Sequence, residues 1–397
     1  MVIAAPSMVP EAAAAGQLYV SAENAEYANS FNGFQIVEVV VRDPQRSQTD
    51  ESQGEPVVRV NSNVLRMAQG ADGNWYAYFA SHSHLIAADV ADNNLNFGTD
   101  AVLAQDTATV TWNKTGNISV YTNAAAGVIG NAPALSQHNV TSVGDGGSTT
   151  EAYQNTDGTS VSGQTGVRTT EWPVIQTFDL TIGTFDVVLE QAGADEVVTL
   201  DHETGDIDAF AGIEFDRTSA AQGAEIHITI TDPALNIDPT AEDIVIFKVR
   251  NNNTGSLSST AGLSGDRASM SFTNGTLPTV AETSVYGIEN SYYKPATNSF
   301  GDDGLLTINN MTSGSTIVLS SDATLDDTIG ADEFMVFWET AENTGVFVNT
   351  DDNDDSNLNV STSAKRGTTA TFNFNDSSYS FVVANDFGTI DMVESSV

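Results

Sequence analysis

Residues 226–246 read IHITITDPALNIDPTAEDIVI, an alternating strand that runs into one Asp-Pro pair and meets a second before the next apolar run. Proline confines the residue before it to extended geometry and withdraws a ladder donor, so Asp232 and Asp238 are each held in β or polyproline conformation. If the piece between them is extended, Asp232, Asn236 and Asp238 share parity and present oxygens on one side, while Leu235 and Ile237 face the core. Oxygen ligands so arranged suit Ca2+ or another divalent cation. The competing reading is that these side chains bond nearby backbone N–H groups in Asx turns. It takes precedence because no known loop consensus is matched.

A denser run of acid lies at 349–357, NTDDNDDSN. Asp351, Asn353 and Asp355 mimic positions one, three and five of an EF-hand loop, but Ser356 stands where the glycine belongs and Thr362 where the final glutamate belongs. The carboxylates of Asp351, Asp352, Asp354 and Asp355 repel one another, so either they splay into solvent or a divalent ion bridges them. The stretch DATLDDTIGADE (322–333) is a weaker case of the same kind. SHSH at 81–84 sets His82 and His84 on one strand face, as zinc requires. His138, His202 and His227 are scattered and offer no partner, so a surface loop is expected at SHSH. No G-x-S-x-G, H-E-x-x-H, P-loop or dinucleotide fingerprint occurs, and no pair stands out among the acids for acid–base work. The chain reads as a non-enzyme.

The elements that must position these residues have period two nearly everywhere. FQIVEVVV (34–41), PVVRVN (56–61), NWYAYFA (74–80), ATVTW (108–112), EIHITIT (225–231), DIVIFKV (243–249), STIVLS (315–320), FMVFWE (334–339), ATFNF (370–374) and YSFVV (379–383) are the predicted strands. Gly, Asn, Asp, Ser and Thr separate them, which points to antiparallel sandwiches in an all-β chain without a long helix. Residues 113–170 have little to bury and read as a long surface insertion.

At 397 residues the chain is too long for one ordinary core. An internal repeat sets the divisions: FAGIEFD (210–216) is echoed by FGTIDMV (387–393), and VVVRDP (39–44) by ITITDP (228–233). The expected organisation is a signal-peptide remnant or disordered arm over 1–15, a first β-sandwich over 16–211 carrying the 113–170 insertion, a second over 212–385, and the opening of a further one over 386–397. The chain is thus expected to be a fragment of a longer molecule. In MVIAAPSMVPEAAAA the alanine run suits signal cleavage before Gly16 or Gln17, although a basic n-region is missing.

Charge narrows the partners. With 53 acidic against 13 basic residues the net charge is −40, which excludes nucleic-acid phosphate and disfavours anionic lipid, leaving cations as natural partners. Zero cysteines rule out disulfides and thiolate chemistry. No apolar run approaches the ~18 residues of a membrane span. Sequons begin at Asn113, Asn117, Asn139, Asn252, Asn274, Asn310, Asn359 and Asn375, permitting N-glycans on a secreted protein.

Several long strings then take on a specific likeness. GFQIVEVVVRDP, GEPVVRVNSNVLRMAQGADGNWYAYFA, NLNFGTD, TEWPVIQTFDL, FAGIEFDRTSAAQGAEIHITITDPALNIDPTAED and ENTGVFVNTDDNDDSNLNVSTSAKRGTTATFNFND together resemble the N-terminal part of the surface-layer (S-layer) protein of ammonia-oxidising archaea. The likeness covers most of 17–397 and weakens in 113–170. It implies tandem immunoglobulin-like β-sandwiches, an extracellular location on the cell surface, homo-oligomeric neighbours in a porous two-dimensional lattice, and an acidic coat through which ammonium reaches the cell. It implies no catalytic residues. A secreted adhesin or binding module built from the same sandwiches is the alternative, and a salt-adapted secreted hydrolase ranks below it.

Overall fold

The structure, a computed structural model, describes residues 17–32, 35–49, 55–85, 109–113, 116–119, 127–129, 135, 173–180, 183–202, 207–250, 266–274, 306–309, 317–319, 332–350, 356, 358–375 and 377–385. Expectations for 1–15, for 386–397, and for most of 113–170 lie outside the described residues. The chain is all-β, and among the described residues helix is confined to short turns. Every predicted strand coincides with an observed one, because alternation of apolar and polar side chains at period two is satisfied only when one face meets a core.

The first unit contains β1 (Leu18–Val20), β2 (Ser30–Phe31), β3 (Val37–Val41), β4 (Val58–Val60), β5 (Asn63–Leu65), β6 (Ala68–Gln69), β7 (Trp75–Ser81), β8 (Thr109–Asn113), β9 (Gly116–Ser119), β10 (Gly127–Ile129), β11 (Ile175–Phe178), β12 (Gly183–Leu189) and β13 (Glu196–His202). A six-stranded sheet runs β1-β3-β7-β11-β10 with β6 on β7, and a five-stranded sheet runs β2-β13-β12-β4-β5. The hairpin β12-β13 shows the half-buried pattern plainly: Phe185, Val187 and Leu189 point inward opposite Val198 and Leu200, while Thr184, Asp186 and Thr199 face solvent. The two sheets meet through aromatic rings. Phe79 of β7 packs edge-on against Phe31 of β2 and Phe185 of β12, each at 6.3 Å between centroids. Such contacts add about 0.5–1.5 kcal/mol beyond their buried area.

The second unit contains β14 (Gly212–Phe215), β15 (Ser219–Ala220), β16 (Ile228–Thr231), β17 (Asp243–Arg250), β18 (Asp266–Asn274), β19 (Leu306–Asn309), β20 (Ile317–Leu319), β21 (Asp332–Glu339), β22 (Val346–Val348), β23 (Leu358–Val360), β24 (Thr369–Phe374) and β25 (Ser377–Val383). Ten strands follow one path, β14-β16-β22-β21-β17-β18-β19-β24-β25-β15. The path folds back on itself, since Phe215 on β14 stacks on Tyr379 of β25 at 4.2 Å and meets Phe372 of β24 edge-on at 4.8 Å.

The repeat in the sequence has a counterpart in the pairing. In each unit the opening strand pairs antiparallel with the strand before the Asp-Pro turn, β1 with β3 and β14 with β16. A short second segment then runs parallel to the closing strand of a terminal hairpin, β2 with β13 and β15 with β25. Both Asp-Pro turns are built alike: Asp43 Oδ1 accepts from Gln45 N at 2.9 Å, and Asp232 Oδ1 from Ala234 N at 3.0 Å.

Candidate functional site

Asp232 is extended and its side chain caps a 3-10 turn over Pro233–Leu235, whose first proline has no N–H to leave unsatisfied. Asp238 repeats the device before Pro239, its Oδ1 accepting from the amide of Thr240 at 2.9 Å and from the Thr240 hydroxyl. Both aspartates therefore make the Asx turns of the competing sequence reading. The premise behind the cation reading, an extended run from 232 to 238, gives way to the turn: a proline at its first position presets helical φ, and the Asp cap completes it. Leu235 and Ile237 are buried as expected, but so is every residue from Asp232 through Pro239, including Asn236.

What covers them is the first unit. Gln35 donates from Nε2 to the carbonyls of Pro233 (2.5 Å) and Asn236 (3.2 Å), and Ile36 N donates to Ile237 O at 3.1 Å. Gln35 is itself oriented by Asn32, whose amide donates to its Oε1 at 2.8 Å. A second turn of the second unit, 340–345, joins the same face. Asn343, in the left-handed conformation at φ 60°, donates from Nδ2 to Ser21 O at 2.8 Å, and the Tyr27 hydroxyl donates to Thr344 O at 2.7 Å. Tyr27 also meets Phe210 edge-on at 5.6 Å. Asn236 and Asn343 tie the two turns together through an amide hydrogen bond of 2.7 Å. A buried hydrogen bond contributes about 1 kcal/mol, and stripping one partner from a buried group costs about 1–3 kcal/mol. Several such bonds on two turns hold the units in one orientation.

Behind this contact stand two buried acids. Asp243, the first residue of β17, accepts from the amides of Ile237 and Asp238. Glu339, the last of β21, accepts from Asp243 N at 3.0 Å, Thr344 N at 2.7 Å and Gly345 N at 2.8 Å. Gly345 is glycine for a reason: at φ +63° it lies against Pro233, and a Cβ there would sit 2.7 Å from the Pro233 Cα. Asp243 and Glu339 are thus splints for the turns that touch the first unit. Gln35, Tyr27, Asp243, Glu339, Asn343 and Gly345 were not singled out from sequence. A signal existed for the acids, because Asp243 shares parity with buried Val245 and Glu339 with buried Phe337.

Asp351, Asp352, Asp354 and Asp355 lie outside the described residues. The strand end that leads to them is firmly held: Asn349, 1% exposed, bonds Ile226 and Ile228, and Thr350 bridges to Ser356. Among the described residues, no group of three or more His, Asp or Glu side chains is arranged to hold a metal ion. None of their helices is long and apolar enough to cross a membrane.

The surface loop expected at SHSH is not what forms. β7 extends through Ser81, and the chain then tucks inward in a helical turn at 82–85 because Leu85 is drawn into the core. His82 is buried with Nδ1 2.9 Å from Thr177 Oγ1, and His84 lies edge-on to buried His202 at 5.4 Å. Burial, with the His202 imidazole beside it, pushes His84 down to about 4. A histidine with a folded pKa below its unfolded value near 6.5 takes its proton first in the unfolded chain. Its contribution is therefore whole above about pH 6.5 and is lost as pH falls toward 4. Urea unfolding of the first unit should show a loss on the order of 2 kcal/mol between pH 7 and pH 4.5. His84→Gln should reduce that slope, and an unchanged slope would contradict the assignment.

No protein-family model matches the chain, and no curated protein matches it.

Proposed function

We propose that the chain is a structural subunit of a secreted, self-assembling, acidic S-layer that coats an archaeal cell, built from tandem immunoglobulin-like sandwiches whose pores pass small cations such as ammonium. The observation that carries the reading is the joint. A coat needs its modules held at fixed angles, and here the turns at 232–239 and 340–345 lock onto residues 21–36 of the preceding unit through buried, directional bonds. Support for the immunoglobulin-like assignment comes from the divided first strand of both units, one piece antiparallel to its neighbour and the other parallel to the closing strand, in separate sheets in the first unit and at opposite ends of the folded path in the second. The string-by-string likeness to the S-layer family, the net charge of −40 and the lack of a catalytic motif point the same way.

Divalent cations enter this proposal as lattice ions, with Ca2+ at Asp351, Asp352, Asp354 and Asp355 the expected position, rather than as cofactors of a reaction. N-glycans would decorate the outer surface. Electron microscopy of purified full-length protein, with and without Ca2+, tests the reading. Sheets are the expected result, while monodisperse particles in both conditions would replace the coat by an adhesin or binding module.

A further inference from the structure

Asp232, Asp238, Asp243 and Glu339 are all buried where the two units meet, each at 1–2% exposure. Among the described residues neither Asp243 nor Glu339 has a Lys, Arg or His within ion-pair distance, and their only close partners are N–H groups and the Thr344 hydroxyl. A buried carboxylate without a counter-charge is costly to ionise, and a neighbouring one raises that cost; the N–H donors around Asp243 and Glu339 offset part of it, but burial outweighs them. We infer that the joint is a proton-operated clasp, closed when Asp243 and Glu339 hold protons and loosened when both ionise.

The geometry ties the titrating groups to the contact itself. Asp243 holds the amides of Ile237 and Asp238, and Ile237 O is the acceptor for Ile36 N of the first unit. Glu339 holds Thr344 and Gly345, and Thr344 O is the acceptor for the Tyr27 hydroxyl. The surroundings are acidic from every side. Asp238 of the loop and Glu339 of β21 act on Asp243, while Asp232 and Glu339, with Glu26 of the first unit, act on Tyr27. Glu38 and Glu342 act on Tyr19, and Glu38 and Asp238 on Tyr78; Arg42 is a cation at this face, and it acts on Tyr19. Burial pushes Glu339 up to about 7, and burial followed by the charge of Glu339 pushes Asp243 well above the usual carboxylate range.

The sign follows from linkage. Both groups have raised folded pKa values, so the closed joint binds protons that an opened, hydrated one releases near pH 4. Closure is therefore favoured by acid, and it weakens by up to about tenfold per pH unit for each of the two protons as pH climbs through the window ending near Glu339's value of about 7. The raised Asp243 extends the window upward, and the two titrate as a pair.

Zero native cysteines make the test direct. Thr184→Cys on β12 and Ser380→Cys on β25, both exposed, take spin labels on the full chain, and the distance distribution between the units is measured at pH 5.5 and pH 8. The native background should give a narrow distribution at pH 5.5 and a broad one at pH 8. Asp243→Asn, which keeps an acceptor oxygen for both amides, should be narrow at both, with Glu339→Gln as the second variant if the first does not fold. Identical distributions at the two pH values would overturn the clasp. So would variants that broaden as the native chain does, since general repulsion among the surface acids would then be the cause.

Discussion

Replacing Gly345 with alanine should cost the second unit about 3–5 kcal/mol and release it from the first, although the change adds a single methyl group. The expected loss has three parts. A left-handed residue with a Cβ is strained by about 1 kcal/mol or more. The new Cβ would lie 2.7 Å from Pro233 Cα, and backbone cannot swing aside like the end of a side chain, so overpacking of about 1–3 kcal/mol follows. Any shift that relieves the clash breaks Asp232 N to Gly345 O (2.8 Å) or Gly345 N to Glu339 Oε1 (2.8 Å), each contributing about 1 kcal/mol. Gly223→Ala supplies the control. Its φ of +77° is equally left-handed, but the nearest heavy atom to a new Cβ is Thr362 Cγ2 at 3.5 Å, so it should lose only about 1 kcal/mol. Denaturant unfolding of both variants decides the matter, and equal losses would mean that the close approach to Pro233 contributes nothing.

The strands were legible from sequence because period two is a local property: a reader of DIVIFKV or ATFNF needs no knowledge of what lies across the core. The hairpin of β12 and β13 is just as periodic in TFDVVL and EVVTL, yet neither string is among the predicted strands. That Asp232 and Asp238 cap their own turns was legible, since Asp before Pro leaves the carboxylate few partners except the amides just beyond it. The purpose of the loop was not legible. The carbonyls it offers are taken by Gln35 and Ile36, roughly two hundred positions earlier, and nothing local marks a polar residue such as Gln35 as the complement of a distant turn. The histidines failed for a related reason: His82 and His84 look like a polar run, and only the docking of Leu85 and the arrival of His202 bury them.

If the proposed coat forms, its sheets should pass ammonium much more readily than nitrate, and neutralising the acids around their pores should reduce that preference by about tenfold or more. The net charge of −40 invites a long-range explanation, in which the proposed coat would draw cations from a distance. Screening forbids it. The field of an exposed carboxylate decays over about 8 Å at physiological salt and about 3 Å at 1 M, so in a saline medium the charge vanishes within a water layer or two of the surface. Fields overlap only where neighbouring subunits bring carboxylates together across a narrow opening, and there low-dielectric walls focus them to several kT. Selection of small cations then requires no pocket, in keeping with the absence of catalytic motifs. Acidity that merely maintains solubility predicts none of this.

The decisive measurement is the permeation of ammonium and nitrate through such sheets at high salt. It would be made for the native protein and for one with pore-lining Asp and Glu, located in the lattice by electron microscopy, changed to Asn and Gln. A clear cation preference that falls toward parity on neutralisation is the predicted result. Equal permeation of the two ions through native sheets, or a preference untouched by neutralisation, would contradict a coat whose acidity acts as a filter.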